Sequence, residues 1–295
     1  MTIVLNEPGV EGLTGAVDAL RAWQDDRTPL QLHPGDLGWA WALGAERLAA
    51  AVRTWSADGR IIAVGYLDAP DLLRLTTAPD LRQDEDLARQ LLADLDAPER
   101  GVLPSGKVGL EIPNGALLRE VLLEAGWNLD EPWTPLRHDL SEPVKDSGLR
   151  IEVAGPKTAG VRTAVHRSAF GSPRFTEEIW LVLAAGPVYA DARCLIGYDD
   201  QDNAVAAVTV WSAGPGRPGL LEPMGVHADH RGRGHGTAIS VAAAAALREM
   251  GASSALVCTQ SSNAAAVATY RAAGYEPSSE RLDVSRAAEG PARSG

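Results

Sequence analysis

Leu220-Leu221-Glu222-Pro223-Met224-Gly225-Val226-His227-Ala228-Asp229-His230-Arg231-Gly232-Arg233-Gly234-His235-Gly236-Thr237-Ala238-Ile239 is the stretch around which the rest of the chain can be organised. Apolar residues carry a strand over 220–226, a turn with three alternate glycines follows, and a strong helix former begins at Thr237. Over 237–249, Ile239, Ala243, Ala246 and Leu247 fall on one helical face, with Met250 just beyond. Glycine permits positive φ and close backbone approach. Successive N–H groups in such a turn can point into one concavity, and the helix start adds partial positive charge. Arg231 and Arg233 can add full charges nearby. A phosphate-binding turn and a turn that is glycine-rich for steric reasons both fit these residues.

Two other phosphate motifs do not fit. A dinucleotide fingerprint beginning at Gly232 needs glycine at 237, where threonine stands, and an acid ending the next strand, where Cys258-Thr259-Gln260 offers none. A nucleoside triphosphate loop needs Gly-Lys-Ser/Thr, and no lysine follows Lys157.

Arg231-x-x-Gly234-x-Gly236 resembles the Gln/Arg-x-x-Gly-x-Gly/Ala pyrophosphate loop of the GNAT family, the acyl-coenzyme A-dependent N-acyltransferases. Asn263, Tyr270, Gly274 and Tyr275 are similar to that family's second motif, in order and spacing. The resemblance covers most of residues 150–286. It implies acetyl-CoA as co-substrate, direct transfer of the acetyl group to an amine, and no metal. It also implies that Met224, Gly225 and Val226 pair with the pantetheine arm, the Val226 N–H polarising the thioester carbonyl. Arg231, Gly232, Arg233, Gly234, His235, Gly236 and Thr237 would hold the pyrophosphate. Tyr270 would protonate the departing thiolate, or else pack as an ordinary aromatic on its helix face. Asn263 would touch the cofactor arm, cap its helix, or both. Glu222 is the candidate general base; a solvent-facing or ion-paired acid is the alternative. Glu177, Glu178 and Trp180 would lie where the family shapes its acceptor cavity. His227, His230 and His235 are close in sequence, but the turn is expected to scatter them.

The two halves read alike. Val108-Gly109-Leu110-Glu111-Ile112, Asn114, a helix and Ala125-Gly126-Trp127 repeat the order Ala255-Leu256-Val257-Cys258-Thr259, Asn263, a helix and Ala273-Gly274-Tyr275. Each reads strand, asparagine cap, helix, closing glycine. Upstream, 12–23 and 157–170 read as helices; 60–67 with 72–77, and 193–198 with 204–212, read as paired strands. The polar stretch Ser141-Glu142-Pro143-Val144-Lys145-Asp146-Ser147-Gly148 divides the chain. The expected fold is α/β (α+β): two tandem GNAT-like domains, each a mixed, mostly antiparallel sheet flanked by helices. The divisions are 1–145, 150–286 and a disordered tail, 287–295. In the first half the counterpart of the phosphate loop is Ala78-Pro79-Asp80-Leu81-Arg82-Gln83-Asp84-Glu85-Asp86, which lacks glycine and ends in three acids; the counterpart of Tyr270 is Leu122. That half is therefore expected to bind no coenzyme A. Its helical segment around 33–41, with Trp39 and Trp41, could wall the acceptor cavity or simply pack.

Bulk properties narrow the class. A length of 295 residues suits two domains. A formal charge of −12 repels phosphate backbones, so no nucleic-acid partner is expected. No apolar run is long enough for a membrane span, and the N-terminus lacks a signal-peptide pattern. Two cysteines, Cys194 and Cys258, are too few for a disulfide framework. The expectation is a bacterial cytoplasmic N-acetyltransferase, monomer or homodimer, acting on a small-molecule amine. A protein or peptide acceptor, or a non-catalytic acyl-CoA sensor, remains open.

Overall fold

The computed structural model describes residues 2–287, so the tail at 287–295 lies almost wholly outside the described residues. The first half runs β1 (Val4–Asn6), α1 (Gly9–Trp23), α2 (Pro34–Ala40), α3 (Ala45–Ala51), β2 (Val52–Ala57), β3 (Arg60–Ala69), β4 (Leu72–Thr77), α4 (Glu85–Leu95), β5 (Val108–Glu111), α5 (Leu117–Glu124) and β6 (Asn128–Asp139). The second runs β7 (Arg150–Val153), α6 (Ala159–Phe170), α7 (Glu177–Ala184), β8 (Ala192–Tyr198), β9 (Ala204–Trp211), β10 (Gly219–Val226), α8 (His235–Glu249), β11 (Ser254–Gln260), α9 (Ala264–Ala272), β12 (Glu276–Pro277) and β13 (Arg281–Arg286). This is the tandem mixed fold that the sequence predicts. Both helix ends read from glycine close as expected: Gly126 and Gly274 take φ of 92° and 95°, a conformation that costs other residues a Cβ clash.

All the strands except β12 lie on one path, β1-β2-β3-β4-β5-β13-β6-β11-β10-β9-β8-β7. The order reads equivalently from either edge, with the two halves meeting at β13 and β6. Each half has given away its last strand. β6, the end of the first half, pairs along β11 of the second from Asp139↔Ser254 to Trp133↔Gln260. β13, the end of the second, pairs with β5 of the first from Leu110↔Val284 to Val108↔Arg286. The chain passes from one half to the other between β6 and β7, whereas the sheet interleaves them.

The cores follow this exchange. Val284 of β13 is fully buried among Leu73, Leu110, Leu118 and Trp127 of the first half. A second core joins the halves directly, with Leu20, Trp23 and Leu37 against Trp180, Ile196 and Trp211. The alanine-rich helix α8 brings Ala243, Ala244 and Leu247 onto Val208, Val210 and Leu221, small side chains letting it lie close to the sheet. One expectation from sequence is corrected. Asn114 does not cap α5, which starts at Leu117 with Ala116 in the cap position. Its amide donates to the carbonyl oxygen of Glu280 at 2.9 Å and so ties down the approach to β13.

Because each half completes the other's sheet, unfolding is expected as one cooperative transition. Val284→Asp, near the C-terminus, puts a charge into the first half's core and is expected to destabilise the whole chain by more than about 3 kcal/mol. Urea unfolding followed by tryptophan fluorescence checks both; two separate transitions would contradict the interleaved architecture.

Candidate active site

β10 and β11 are parallel, and they pair only at Gly219↔Ala255 and Leu220↔Leu256. Beyond Leu220 they part, leaving residues 221–226 hydrogen-bonded on one side alone, to β9. The register to β9 slips between Leu221 and Met224, so Glu222 and Pro223 form a bulge joined by a cis peptide bond. The His227 N–H donates to the Val205 carbonyl on the β9 side at 2.8 Å. Since successive strand N–H groups alternate in direction, those of Val226 and Met224 point into the open split. Helix α6 covers the strand here, close enough that a Cβ on Gly225 would meet the Ala169 Cβ at 2.6 Å.

The turn after β10 feeds the start of α8. Gly232 and Gly234 adopt φ of 73° and 85°, which explains two of the alternate glycines. Gly236 answers a different need, because a Cβ there would come within 3.0 Å of Thr269 on α9. Among the described residues no backbone carbonyl accepts from the N–H groups of Gly232 through Thr237, and no side chain caps the helix. The Arg231 guanidinium donates to the Ala169 carbonyl at 2.6 Å, holding the turn against α6. The result is a concavity of free donors at a helix N-terminus, suited to an anion such as a pyrophosphate.

The first half keeps the split but not the rest. β4 and β5 pair from Leu72↔Gly109 to Arg74↔Glu111 and then part. β4 stays in register with β3 from Leu73 through Thr77, without a bulge. Helix α4 is closed by its own chain: the Asp84 carboxylate accepts from the Leu87 N–H at 2.8 Å. Leu122, the counterpart of Tyr270, is fully buried.

Tyr270 is buried on α9 against Tyr275, ring centroids 5.9 Å apart. Burial, then the negative charge of Glu222, hold its hydroxyl above the ordinary tyrosine value, so it keeps its proton. Asn263 caps α9, its Oδ1 accepting from the Ala266 N–H at 3.1 Å.

Glu222 lies in an acidic cluster that the sequence does not reveal. Its main-chain carbonyl accepts from Trp211 Nε1 at 2.7 Å. Its carboxyl is pushed up to about 8, first by burial, then by Asp36, with Arg74 opposing. Asp36 and Arg74 belong to the other half. Arg74 pairs with Asp36 at 3.0 Å and with Glu111 at 3.1 Å. The same Glu111 oxygen receives Arg281 at 3.1 Å, and Arg281 pairs with Asp283 at 2.9 Å. With Asp68 nearby, the carboxyls of Asp36, Asp68, Glu111, Glu222 and Asp283 face the guanidiniums of Arg74 and Arg281. Negative charge is in excess, which adds to the effect of burial on Glu222.

A cavity of about 340 Å3 opens between the halves. Trp39, Tyr66 and Asp68 line it from the first half, and His166, Phe175 and Ile179 from the second. His166 sits between Phe175 at 4.4 Å and Phe170 at 4.6 Å, and burial lowers its pKa to about 4, leaving the ring neutral. Of the two tryptophans expected to wall a cavity or simply pack, Trp39 lines this one, whereas Trp41 packs on Gly186. Trp180 is core, and Glu177 and Glu178 are exposed and absent from the lining; the same segment contributes Phe175 and Ile179 instead. Sequence reasoning passed over Asp36, Asp68, Arg74 and His166. A local signal existed for Asp36 alone, which closes a capping box with His33 at the start of α2.

The histidines also depart from expectation. The turn gathers them: His227 and His230 lie 5.4 Å apart, His230 and His235 6.3 Å, by ring centroids. One ligand atom each of Asp199, His230 and His235 falls within 4.8 Å of the others. Asp199, however, already accepts from the N–H groups of Gln201 and Asn203.

Residues 163–275 match the model of the Acetyltransferase (GNAT) family. A GNAT-family acetyltransferase from Colwellia psychrerythraea superposes with a TM-score of 0.61 at 17% identity, covering 96% of this chain and 98% of that one. A tandem GNAT protein from the clavulanic acid biosynthesis pathway gives 0.61 at 16% identity, over 99% and 100%. A GCN5-related N-acetyltransferase from Sphaerobacter thermophilus gives 0.57 at 17%, over 96% and 95%. Comparison with curated proteins returned no match. Residues 163–275 thus belong to the GNAT family of acyltransferases, and the whole chain has the fold of a tandem GNAT protein. Among the described residues no helix is long and apolar enough to cross a membrane.

Gly225→Val drives a side chain into α6 and is expected to destabilise the protein by about 1–3 kcal/mol, read as a lowered Tm. An unchanged Tm would mean that α6 is not seated on β10 as described.

Proposed function

We propose that this tandem GNAT chain is an N-acetyltransferase that moves the acetyl group of acetyl-CoA directly to the primary amine of a small molecule. The observation that carries the reading is the bulged, half-unpaired strand at residues 222–226, flanked by a turn of free N–H donors and carrying the half-buried carboxyl of Glu222. Acetyl-CoA supplies the thioester, an acyl group already activated for transfer. The chain supplies the rest. Gly232 to Thr237 donate backbone N–H groups to the pyrophosphate, with Arg231 and Arg233 alongside. Met224 and Val226 offer backbone groups to the pantetheine arm, and the Val226 N–H faces the site of developing negative charge. Glu222, once deprotonated, takes a proton from the substrate ammonium, and the free amine attacks the carbonyl carbon. Tyr270 gives its proton to the departing sulfur and regains one from the amide nitrogen by way of solvent. One proton is released overall, and no covalent enzyme intermediate is needed.

The cavity between the halves favours a small acceptor over a protein chain, because both halves wall it. Its lining is largely apolar and aromatic, with Asp68 on one wall and the neutral His166 and Arg174 on the other, so an acceptor with an apolar or aromatic body would place its ammonium on the Asp68 side. The first half, with an acid-capped helix and no bulge, is read as binding no coenzyme A.

Calorimetric titration with acetyl-CoA is expected to give one site per chain, lost in Gly234→Glu. Two sites would overturn the reading of the first half, and none would overturn the enzyme. Tyr270→Phe is expected to lower kcat about 10²–10⁴-fold with cofactor affinity unchanged. Because Glu222 acts only when deprotonated, kcat/KM is expected to rise with pH through about 8 and to lose that limb in Glu222→Gln. A profile flat from pH 6 to 9 in the wild type would remove Glu222 from the mechanism.

A further inference from the structure

We propose that Asp36, on the half without a coenzyme A site, is the positioning residue for Glu222, so that the two carboxyls act as a pair holding one proton at the acyl-transfer site. The inference rests on Glu222 being the base.

The packing leaves Asp36 little freedom. His33 and Asp36 close a reciprocal box at the start of α2: Asp36 Oδ2 accepts from the His33 N–H at 2.6 Å, and His33 Nδ1 accepts from the Gly35 N–H at 2.9 Å. With Nδ1 accepting, Nε2 carries the proton and donates to the Pro218 carbonyl, one residue before β10, at 3.2 Å. Burial lowers the His33 pKa to about 4, so the ring is a neutral bracket between the halves. Gly35 and Gly38 let α2 lie directly on Trp211; a Cβ at either would come within 2.5 Å of its ring or Cβ atoms. Trp211 in turn holds the Glu222 carbonyl. One indole therefore fixes both the start of α2, which carries Asp36, and the bulge of β10, which carries Glu222.

The pair is set in charge as well as in place. The groups facing Glu222 are Asp36 from α2, Arg74 from β4, Asp68 from β3 and Tyr270 from α9. Asp36 is almost wholly buried and paired with Arg74. Arg74 is shared with Glu111, so its charge is divided and cannot fully offset Asp36 at Glu222. A carboxylate fixed beside a second carboxyl favours retention of one proton between them. When the substrate ammonium passes a proton to Glu222, the new O–H can donate to Asp36. No other bond changes in that step.

The test uses ligand-free full-length protein, following the protonated-carboxyl stretch by infrared spectroscopy against pH. A transition near pH 8 that vanishes in Glu222→Gln belongs to Glu222. Asp36→Asn keeps an acceptor for the His33 N–H and removes the charge; Asp36→Ser does the same with a shorter side chain. Either is expected to lower the transition by roughly 1–3 pH units and to shift the acidic limb of kcat/KM with it. Asp36→Glu is expected to restore the limb. If the transition stays in place in the Asp36 variants while Glu222→Gln still abolishes it, the positioning role is overturned and the base survives. If Glu222→Gln leaves the rate and its limb intact, it is the base assignment that fails.

Discussion

The antiparallel pairing of β13 with β6, at Arg281↔Trp133 and Ser285↔Asn128, is the constraint on which the rest of the molecule depends. These are the strands that the two halves exchange, and once they pair neither half can move without opening its own sheet. Other contacts then become possible. The Arg217 guanidinium reaches across to the carbonyls of Arg21, Ala22 and Gln24 at the end of α1. Arg137 pairs with Asp26 at 2.8 Å. Domains joined by an ordinary linker would be expected to shift against each other. Here the site can be assembled from both, because the shared sheet removes that motion.

Rigid docking makes sense of a costly feature. Five carboxyls gathered around two guanidiniums, with Asp36, Asp283 and Arg281 buried, are poor material for stability, since desolvation opposes any Coulombic gain. Asp68 is raised by its burial, and Asp283 is raised to about 6 for the same reason. Such a cluster is better understood through what it does to a neighbour: its excess of negative charge adds to burial in keeping Glu222 protonated to higher pH. The same excess would repel a phosphate. The phosphate-suited turn is built from different elements, at the far end of β10, with Arg231 and Arg233 beside it.

Reading the sequence recovers whatever depends on nearby residues. The turn at 231–237, the α8 face, the closing glycines and the internal repeat are set by local pattern, and all were legible. The strand β6 was not, because Pro132 and Pro135 argue against a strand inside a sheet. Both prolines sit in it nonetheless, paired to Leu282 and Cys258. The histidines were misjudged because a turn with two positive-φ glycines folds back, bringing His230 and His235 together. Asp36 lies far from Glu222 along the chain, and only the exchange of strands makes them neighbours. No local pattern carries that information.

The first half keeps the fold while departing from the second at each feature suited to a phosphate. It retains the strand divergence after Arg74↔Glu111, so its sheet still opens where the other half opens. Without the bulge, strand N–H groups are not re-aimed; without glycine, no turn of free donors forms; with Asp84 as cap, the helix start is already satisfied. Each change is local and leaves the sheet edge, α2 and the exchanged strand intact. What survives is Arg74 at the mouth of the split, Asp36 facing it and an aromatic wall at Trp39 and Tyr66. Those are the parts that the other half lacks. On the function proposed above, the second copy walls the acceptor side of the other half's cleft, supplying charge and shape in place of a second cofactor site.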